Sequence, residues 1–216
     1  EMIESEGIKT NILNHLSEET EIKRLRKIFW DKYGHKVLNI INNNFQNVDT
    51  PEQGSGLSVE EAFFSSDKVH ERTWKYYPDE FFEPYKARRR ACGIGLYQTL
   101  GIGKEEPEKM RQQRARNYNF FDAPVGMIFS IHNDLEIGSW MDFGMFLQNI
   151  MVSARGHGLH TCAQAAFSDF HTIIKEQLGI PDNETVVCGM AMGYADPDQK
   201  VNQYRSLKEK KIIFIQ

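Results

Sequence analysis

Two apolar segments constrain the fold of this chain most. They are "APVGMIFSI" at 123–131 and "TVVCGMAMGYA" at 185–195, and neither contains a charged residue. Apolar runs of this length, rich in β-branched residues, predict buried strands. Helical patterns alternate with them in the second half of the chain, so a single sheet has to be covered by helices. The sequence therefore predicts an α+β layer fold.

The clearest helical pattern is "GSWMDFGMFLQNIMVSARGHG" at 138–158. Its apolar residues leave little polar face, which predicts a helix buried on several sides. Gly156 and Gly158 are expected to end it. The next helix is expected to begin at a Ser168 or Asp169 cap and to stop at Gly179.

Further helices are predicted on either side of the basic run. Asp79 is expected to cap a helix that continues to about Leu100, and shorter helices are predicted at 58–64 and 105–116. A helix opening at Ser17 and a last strand at 211–216 complete the predicted elements.

Composition excludes several classes of protein. The 216 residues carry 26 basic and 30 acidic side chains, a net charge of -4, which argues against nucleic acid as a partner. No apolar run is long enough to span a membrane. The three cysteines are far apart and have no zinc-ligand spacing. A cytoplasmic, reducing setting is therefore expected.

The segment 160–167, "HTCAQAAF", lies between two predicted helices and contains no Asp, Glu, Lys or Arg. Small residues let a backbone approach a flat ligand closely. The alternative is a buried connector that fills space between helices, and composition alone favours that alternative.

His157, His160 and Cys162 form a second small cluster in this region. A metal site would need further ligands, and no carboxylate lies nearby in the sequence. A nucleophilic Cys162 with His160 as its base would need a site that stabilises a thiolate. Structural or surface roles are the favoured interpretation of these side chains.

Three other motifs have alternative interpretations. "LGIGK" at 100–104 lacks the full spacing of a phosphate loop and is better explained as a helix stop. The basic run at 86–90 is either a solvated helix face or, in a cleft, a receptor for nicotinamide nucleotide phosphates. The aromatic residues within 74–82 either wall a cleft for a planar substrate or belong to the core.

The order of the motifs resembles the nitroreductase family of flavoproteins, in its nitrobenzoate-reductase-like branch. The motifs are "FFDAPVGMIFSI", "GSWMDFGMFLQNIMVSARGHGLHTCAQAAF", "LGIPDNETVVCGMAMGYADPDQKVN" and "RSLKEK", with the insertion "YYPDEFFEPYKARRR" before them. The resemblance covers roughly residues 70 to 210. It implies one nitroreductase-like domain over 1–216, with a central, mostly antiparallel sheet, and an intertwined homodimer.

The resemblance also implies an activity. An FMN-dependent NAD(P)H oxidoreductase would reduce nitroaromatic or quinone-like small aromatic substrates by two-step hydride transfer through the flavin N5. No side chain is needed as an acid or base, so no catalytic residue and no metal ligand is predicted. The alternatives are a flavin-dependent dehalogenase, a flavin-degrading relative, or a cofactor-poor dimer that serves as a binding or scaffold protein.

The resemblance further implies which residues bind FMN. Four small or polar residues, here called the small-residue wall, would run along the isoalloxazine, with the Ala165 N–H directed at N5; they are Ala163, Gln164, Ala165 and Ala166. Arg205 and Lys208 match basic positions that reach the FMN phosphate, and Lys208 stands where the family commonly has Arg. Arg116 and Asn119 match ribityl or phosphate contacts.

One family feature is not found. The Arg-Arg-Ser-x-Arg segment, which clamps the FMN phosphate in this family, has no counterpart in the sequence. The resemblance therefore implies an N-terminal part that is atypical or truncated.

Overall fold

The predicted strands pair in one sheet. In the computed structural model, which describes residues 39–42, 58–65 and 69–206, the strands are β1 (Asn39–Asn42), β2 (Val125–His132), β3 (His160–Gln164) and β4 (Glu184–Gly193). Their order is β1-β2-β4-β3, and every pair is antiparallel. The α+β class and the antiparallel sheet are thus confirmed.

The described residues also form helices between these strands and after the last of them. They are α1 (Val59–Phe64), α2 (Tyr85–Leu100), α3 (Pro107–Ala115), α4 (Ile137–Gly156) and α5 (His171–Leu178), with 3₁₀ helices at Phe120–Asp122, Ala165–Phe170 and Lys200–Gln203. The helix expected at Ser17 and the strand expected at 211–216 lie outside the described residues.

The chain divides into two compact units. The first contains residues 1–73 and 115–194, and the second contains residues 74–114 and 195–216. The sheet, α1, α4 and α5 belong to the first unit. The second unit contains α2 and most of α3. A single domain over 1–216 stays a prediction.

The side chains of the strands alternate between the two faces of the sheet, and this alternation determines which of them form the core of the first unit. On one face of the sheet, Ile128, Val186 and Ala191 pack with residues of α1, of α5 and of the first two 3₁₀ helices. Met127 and Met190, whose backbones pair across β2 and β4, point to the opposite face and are fully buried. Both faces of the central strands are covered, which explains why segments 123–131 and 185–195 contain no charged residue.

Glycines end three helices as predicted. Gly101 follows α2 with φ 69°, and Gly179 follows α5 with φ 63°. α4 ends at Gly156, and Gly158 adopts φ 76°. Positive φ values are accessible to glycine at little steric cost, so these stops could be read from the sequence.

The predicted side-chain caps of two helices are wrong. α2 begins at Tyr85, after Pro84, and Asp79 instead forms an ion pair with Lys75 at 2.6 Å. α5 begins after Phe170, because a 3₁₀ helix occupies Ala165–Phe170. Within that helix, the Ser168 hydroxyl donates to the Ala165 carbonyl at 2.7 Å. Asp169 accepts a hydrogen bond from Arg72 Nε at 2.6 Å.

The prediction that α4 is buried on several sides is also wrong for a single chain. Ile150 and Ala154 are buried, but Ile137 is 78% exposed and Met141 is 65% exposed. One sheet covers only one side of a helix, and α4 is apolar on more than one side. Among the described helices, none combines the length and the apolar character needed to cross a bilayer.

Candidate functional site

The small-residue wall lies at the edge of the described sheet. β3 ends at Gln164, and the 3₁₀ helix begins at Ala165. The Ala163 side chain is exposed, while Ala165 and Ala166 are partly exposed. The buried-connector interpretation of segment 160–167 is therefore wrong. The wall presents methyl groups and backbone without any charged side chain.

Gln164 differs from its neighbours in the wall because its side chain is turned inward. It is 3% exposed, and its backbone is opposite Gly189 of β4. Its Nε2 donates to the Asn117 carbonyl at 2.7 Å. Its Oε1 is buried and has no hydrogen-bond partner among the described residues. The side chain thus ties the wall to the turn that follows α3.

Two stacked rings hold the wall against the sheet. Phe120 and Phe167 are fully buried, with ring centroids 4.5 Å apart and an interplanar angle of 24°. Each ring covers a glycine: a methyl carbon at Gly126 would lie 2.7 Å from Phe120 Cγ, and one at Gly189 would lie 2.7 Å from Phe167 Cε2. Only glycine leaves room for this packing. Sequence analysis missed these positions, although a glycine within a buried strand is a recognised sign of close approach.

The short 3₁₀-type turn at Phe120–Asp122, beside the wall, has a left-handed backbone. Phe120, Phe121 and Asp122 adopt φ values of 50°, 53° and 63°. Left-handed conformations cost a non-glycine residue roughly 1 kcal/mol or more, so surrounding contacts must hold them in place. Hydrogen bonds from Phe121 N to Arg116 O and from Asp122 N to Asn119 O close the turn. Nothing in the sequence predicts three such residues in succession.

Arg116 and Asn119 both lie in this turn, and both have carboxylate partners. Arg116 Nη2 is 2.7 Å from Asp122 Oδ2. Asn119 Nδ2 donates to Glu60 Oε2 of α1, also at 2.7 Å. The Gln164 to Asn117 hydrogen bond brings these two predicted residues near the wall. An anion that binds here has to share or replace the two carboxylates.

The other two predicted basic residues, Arg205 and Lys208, lie in the C-terminal part of the chain. Arg205 belongs to the second unit, where its Nη1 donates to the Asn202 and Tyr204 carbonyls at 2.7 and 2.8 Å. Lys208 lies outside the described residues.

Cys162 is not set up as a nucleophile. Desolvation raises the pKa of its thiol, although part of the side chain is accessible on the edge strand. His160 Nε2 lies 2.8 Å from Arg155 Nη1. Partial burial, followed by the charge of Arg155, lowers the pKa of His160. Neither residue stabilises a thiolate, which agrees with the structural interpretation of both.

Cys188 is a buried cysteine of the described sheet. Burial raises the pKa of Cys188 on β4 to about 12, so this thiol stays protonated at neutral pH. Across residues 39–42, 58–65 and 69–206, no three His, Cys, Asp or Glu side chains are grouped so that they could hold a metal ion.

Sequence comparison identifies known proteins that are related to this chain. Residues 63–194 match the nitroreductase family. The chain is 39% identical over 142 residues to a 4-nitrobenzoate reductase from Nocardioides sp. (strain LMS-CY), covering 65% of this chain and 58% of that protein. It is 37% identical over 143 residues to a chloronitrobenzene nitroreductase from Comamonas testosteroni, covering 66% and 63%. The chain therefore spans less than two thirds of the length of either relative.

A solved structure shows the same fold. It is a crystal structure of a mutant of NfnB, an FMN and NADPH-dependent nitroreductase from Sphigopyxis sp. strain HMH. The TM-score is 0.64 and the sequence identity 28%, with 68% of this chain and 67% of that chain covered. The match to the family covers β2, β3, β4 and the complete wall.

Proposed function

Because this chain belongs to the nitroreductase family, we propose that it is an NAD(P)H-dependent oxidoreductase that binds FMN and reduces small nitroaromatic compounds. The observation that carries the proposal is the family match, which includes the edge-strand wall. The names of the relatives support the substrate class: one is a 4-nitrobenzoate reductase and another a chloronitrobenzene nitroreductase.

The wall has the chemical properties that a flavin ring needs. Ala163, Ala165 and Ala166 present no group larger than a methyl, so a planar ring can lie close to the backbone. As the first residue of a 3₁₀ helix, Ala165 has an N–H without an intrahelical acceptor. When bound, FMN would supply the group that accepts hydride and passes it on. The wall would position the ring and offer it a backbone donor.

The polar end of FMN would be held by basic and amide side chains. We assign Arg116 and Asn119 to this role, together with Arg205 and Lys208 from the C-terminal part of the chain. Asp122 and Glu60 now accept hydrogen bonds from Arg116 and Asn119, which keeps both donors oriented. A phosphate would compete with these carboxylates for the same donors.

Direct measurement of FMN retention tests the proposed function. The purified chain is mixed with FMN, freed of excess by gel filtration and examined by visible absorption. We expect a yellow protein that oxidises NADPH when 4-nitrobenzoate is added. A colourless protein that fails to oxidise NADPH would contradict the proposal and favour a cofactor-poor dimer that acts as a binding or scaffold protein.

A second copy of this chain is the proposed partner of α4. Met141 and Met145 lie four residues apart on one helix face, and both are mostly exposed. Together with Ile137 and Val152, they give α4 an exposed apolar surface among the described residues. We place the protein in the cytoplasm, where its three free cysteines would stay reduced.

The dimer proposal predicts the mass in solution. Light scattering should give twice the mass of one chain. A Met141→Glu, Met145→Glu double variant should shift the protein toward the single-chain mass, because it buries charge at the proposed interface. The matched control, Glu176→Gln on the exposed side of α5, should remain dimeric. A parent protein with the mass of one chain would contradict the proposal.

A further inference from the structure

A basic groove lies entirely within the second unit. Its volume is about 1100 Å³. One face of α2 forms a side of the groove. The lining residues on this face are spaced three or four residues apart, as helix geometry requires; they are Lys86, Arg90, Gly93 and Tyr97. Phe81 and the turn at 102–104 also line the groove. Part of the basic run thus lines a cleft.

The groove carries an excess of positive charge, because its lining contains more basic than acidic side chains. Four basic side chains line it against a single carboxylate, that of Glu80; they are Lys86, Arg89, Arg90 and Lys104. Arg89 lies over the Tyr77 and Phe81 rings, 4.9 and 4.6 Å from their centroids. Among the described residues, no ion pair or side-chain hydrogen bond engages Lys86, Arg90 or Lys104. Three ammonium or guanidinium groups are therefore available to a ligand.

The groove also has an apolar and aromatic portion. Phe81 and Tyr97 are partly buried, as are Ile94, Ile102 and Met110. A purely inorganic anion would not use these side chains. A ligand that combines phosphate groups with a planar aromatic base matches both portions, since bases stack on aromatic rings and on guanidinium planes.

Charge distinguishes two kinds of aromatic anion that could occupy the groove, an aromatic carboxylate and a phosphorylated nucleoside. An aromatic carboxylate carries one negative charge, whereas each phosphate monoester carries about 1.5 to 2 negative charges at neutral pH. The excess of basic groups favours the more highly charged ligand. We propose that the groove binds the adenosine 2′,5′-bisphosphate end of NADPH and so selects NADPH over NADH. This inference rests on the proposed function, because it names the electron donor.

The test uses fragments that cannot donate hydride. Calorimetric titration of the full chain with 2′,5′-ADP and with 5′-AMP compares ligands that differ by the 2′-phosphate. We expect 2′,5′-ADP to bind at least about tenfold more tightly. An Arg90→Ala, Lys104→Ala double variant should remove most of that difference, because it deletes two of the three available cations. Added salt should weaken the 2′,5′-ADP complex.

Lys200→Ala is the matched control, because Lys200 is an exposed basic residue of the same unit that does not line the groove. It should leave the preference for 2′,5′-ADP unchanged. Equal affinity for the two fragments, an unaffected double variant, or displacement of 2′,5′-ADP by benzoate at similar concentration would each overturn the inference. FMN takes no part in these titrations. Loss of the preference with FMN retained would reject only this inference. Lack of FMN retention would instead reject the proposed function, on which the identification of the groove ligand as the electron donor rests.

Discussion

Gly189→Ala is expected to lower the free energy of unfolding by about 3 kcal/mol, the upper end for an overpacked core. The added methyl carbon would lie well inside contact distance of the Phe167 ring, which is fully buried and stacked on Phe120. Neither ring can move without disturbing the other. Urea unfolding of the FMN-free protein measures the effect.

Two variants make this prediction specific. Gly93→Ala is the control, because a methyl at that position in α2 would have no atom within 4 Å; it should be neutral or stabilising by up to about 1 kcal/mol. Phe167→Leu supplies the second test, since a smaller side chain leaves space above Gly189. In that background, Gly189→Ala should cost clearly less than in the parent protein. Equal costs in both backgrounds would show that the Phe167 ring is not what excludes a side chain.

Ala165→Pro is expected to slow reduction of bound FMN by NADPH about 100-fold, the scale for loss of one preorganised backbone donor. Proline removes the N–H that we assign to the flavin ring. Its fixed φ near −65° suits the first residue of a 3₁₀ helix, and the preceding Gln164 has an extended φ of −133°. The fold should therefore tolerate the change better than the reaction does. Stopped-flow absorbance at saturating NADPH measures the rate.

Ala165→Ser is the matched control, because it retains the N–H and adds only a hydroxyl. Its rate should stay close to that of the parent. The FMN dissociation constant of both variants is measured separately, so that weaker binding is not mistaken for slower reduction. A proline variant that reduces FMN at the parental rate would show that the Ala165 N–H does not act on the flavin.

Local sequence signals were reliable where local chemistry decides the conformation. The central strands β2 and β4, the long apolar helix α4 and the glycine helix stops were all predicted. The ordered motifs also indicated the nitroreductase family, which the match over 63–194 confirms. These features depend on hydrophobic periodicity and on the conformational freedom of glycine, and a sequence displays both directly.

The candidate site was harder to predict because long-range contacts shape it. "HTCAQAAF" lacks a β-branched run, yet pairing with β4 makes His160–Gln164 an edge strand. The left-handed turn at Phe120–Asp122 is compatible with the sequence only because Phe120 packs on Phe167 and on the bare backbone of Gly126. The caps also depended on partners: Asp79 pairs with Lys75, and Asp169 pairs with Arg72.

The sequence alone was therefore enough to establish the fold class and the family. Three-dimensional packing was needed to show that Gln164 turns inward, that Arg116 and Asn119 already have carboxylate partners, and that part of the basic run lines a groove. The physical reason is the distance along the chain over which each interaction acts. Backbone propensity and hydrophobic pattern act between near neighbours, whereas the partner of a charge or an amide is chosen by elements that meet only after the chain has folded.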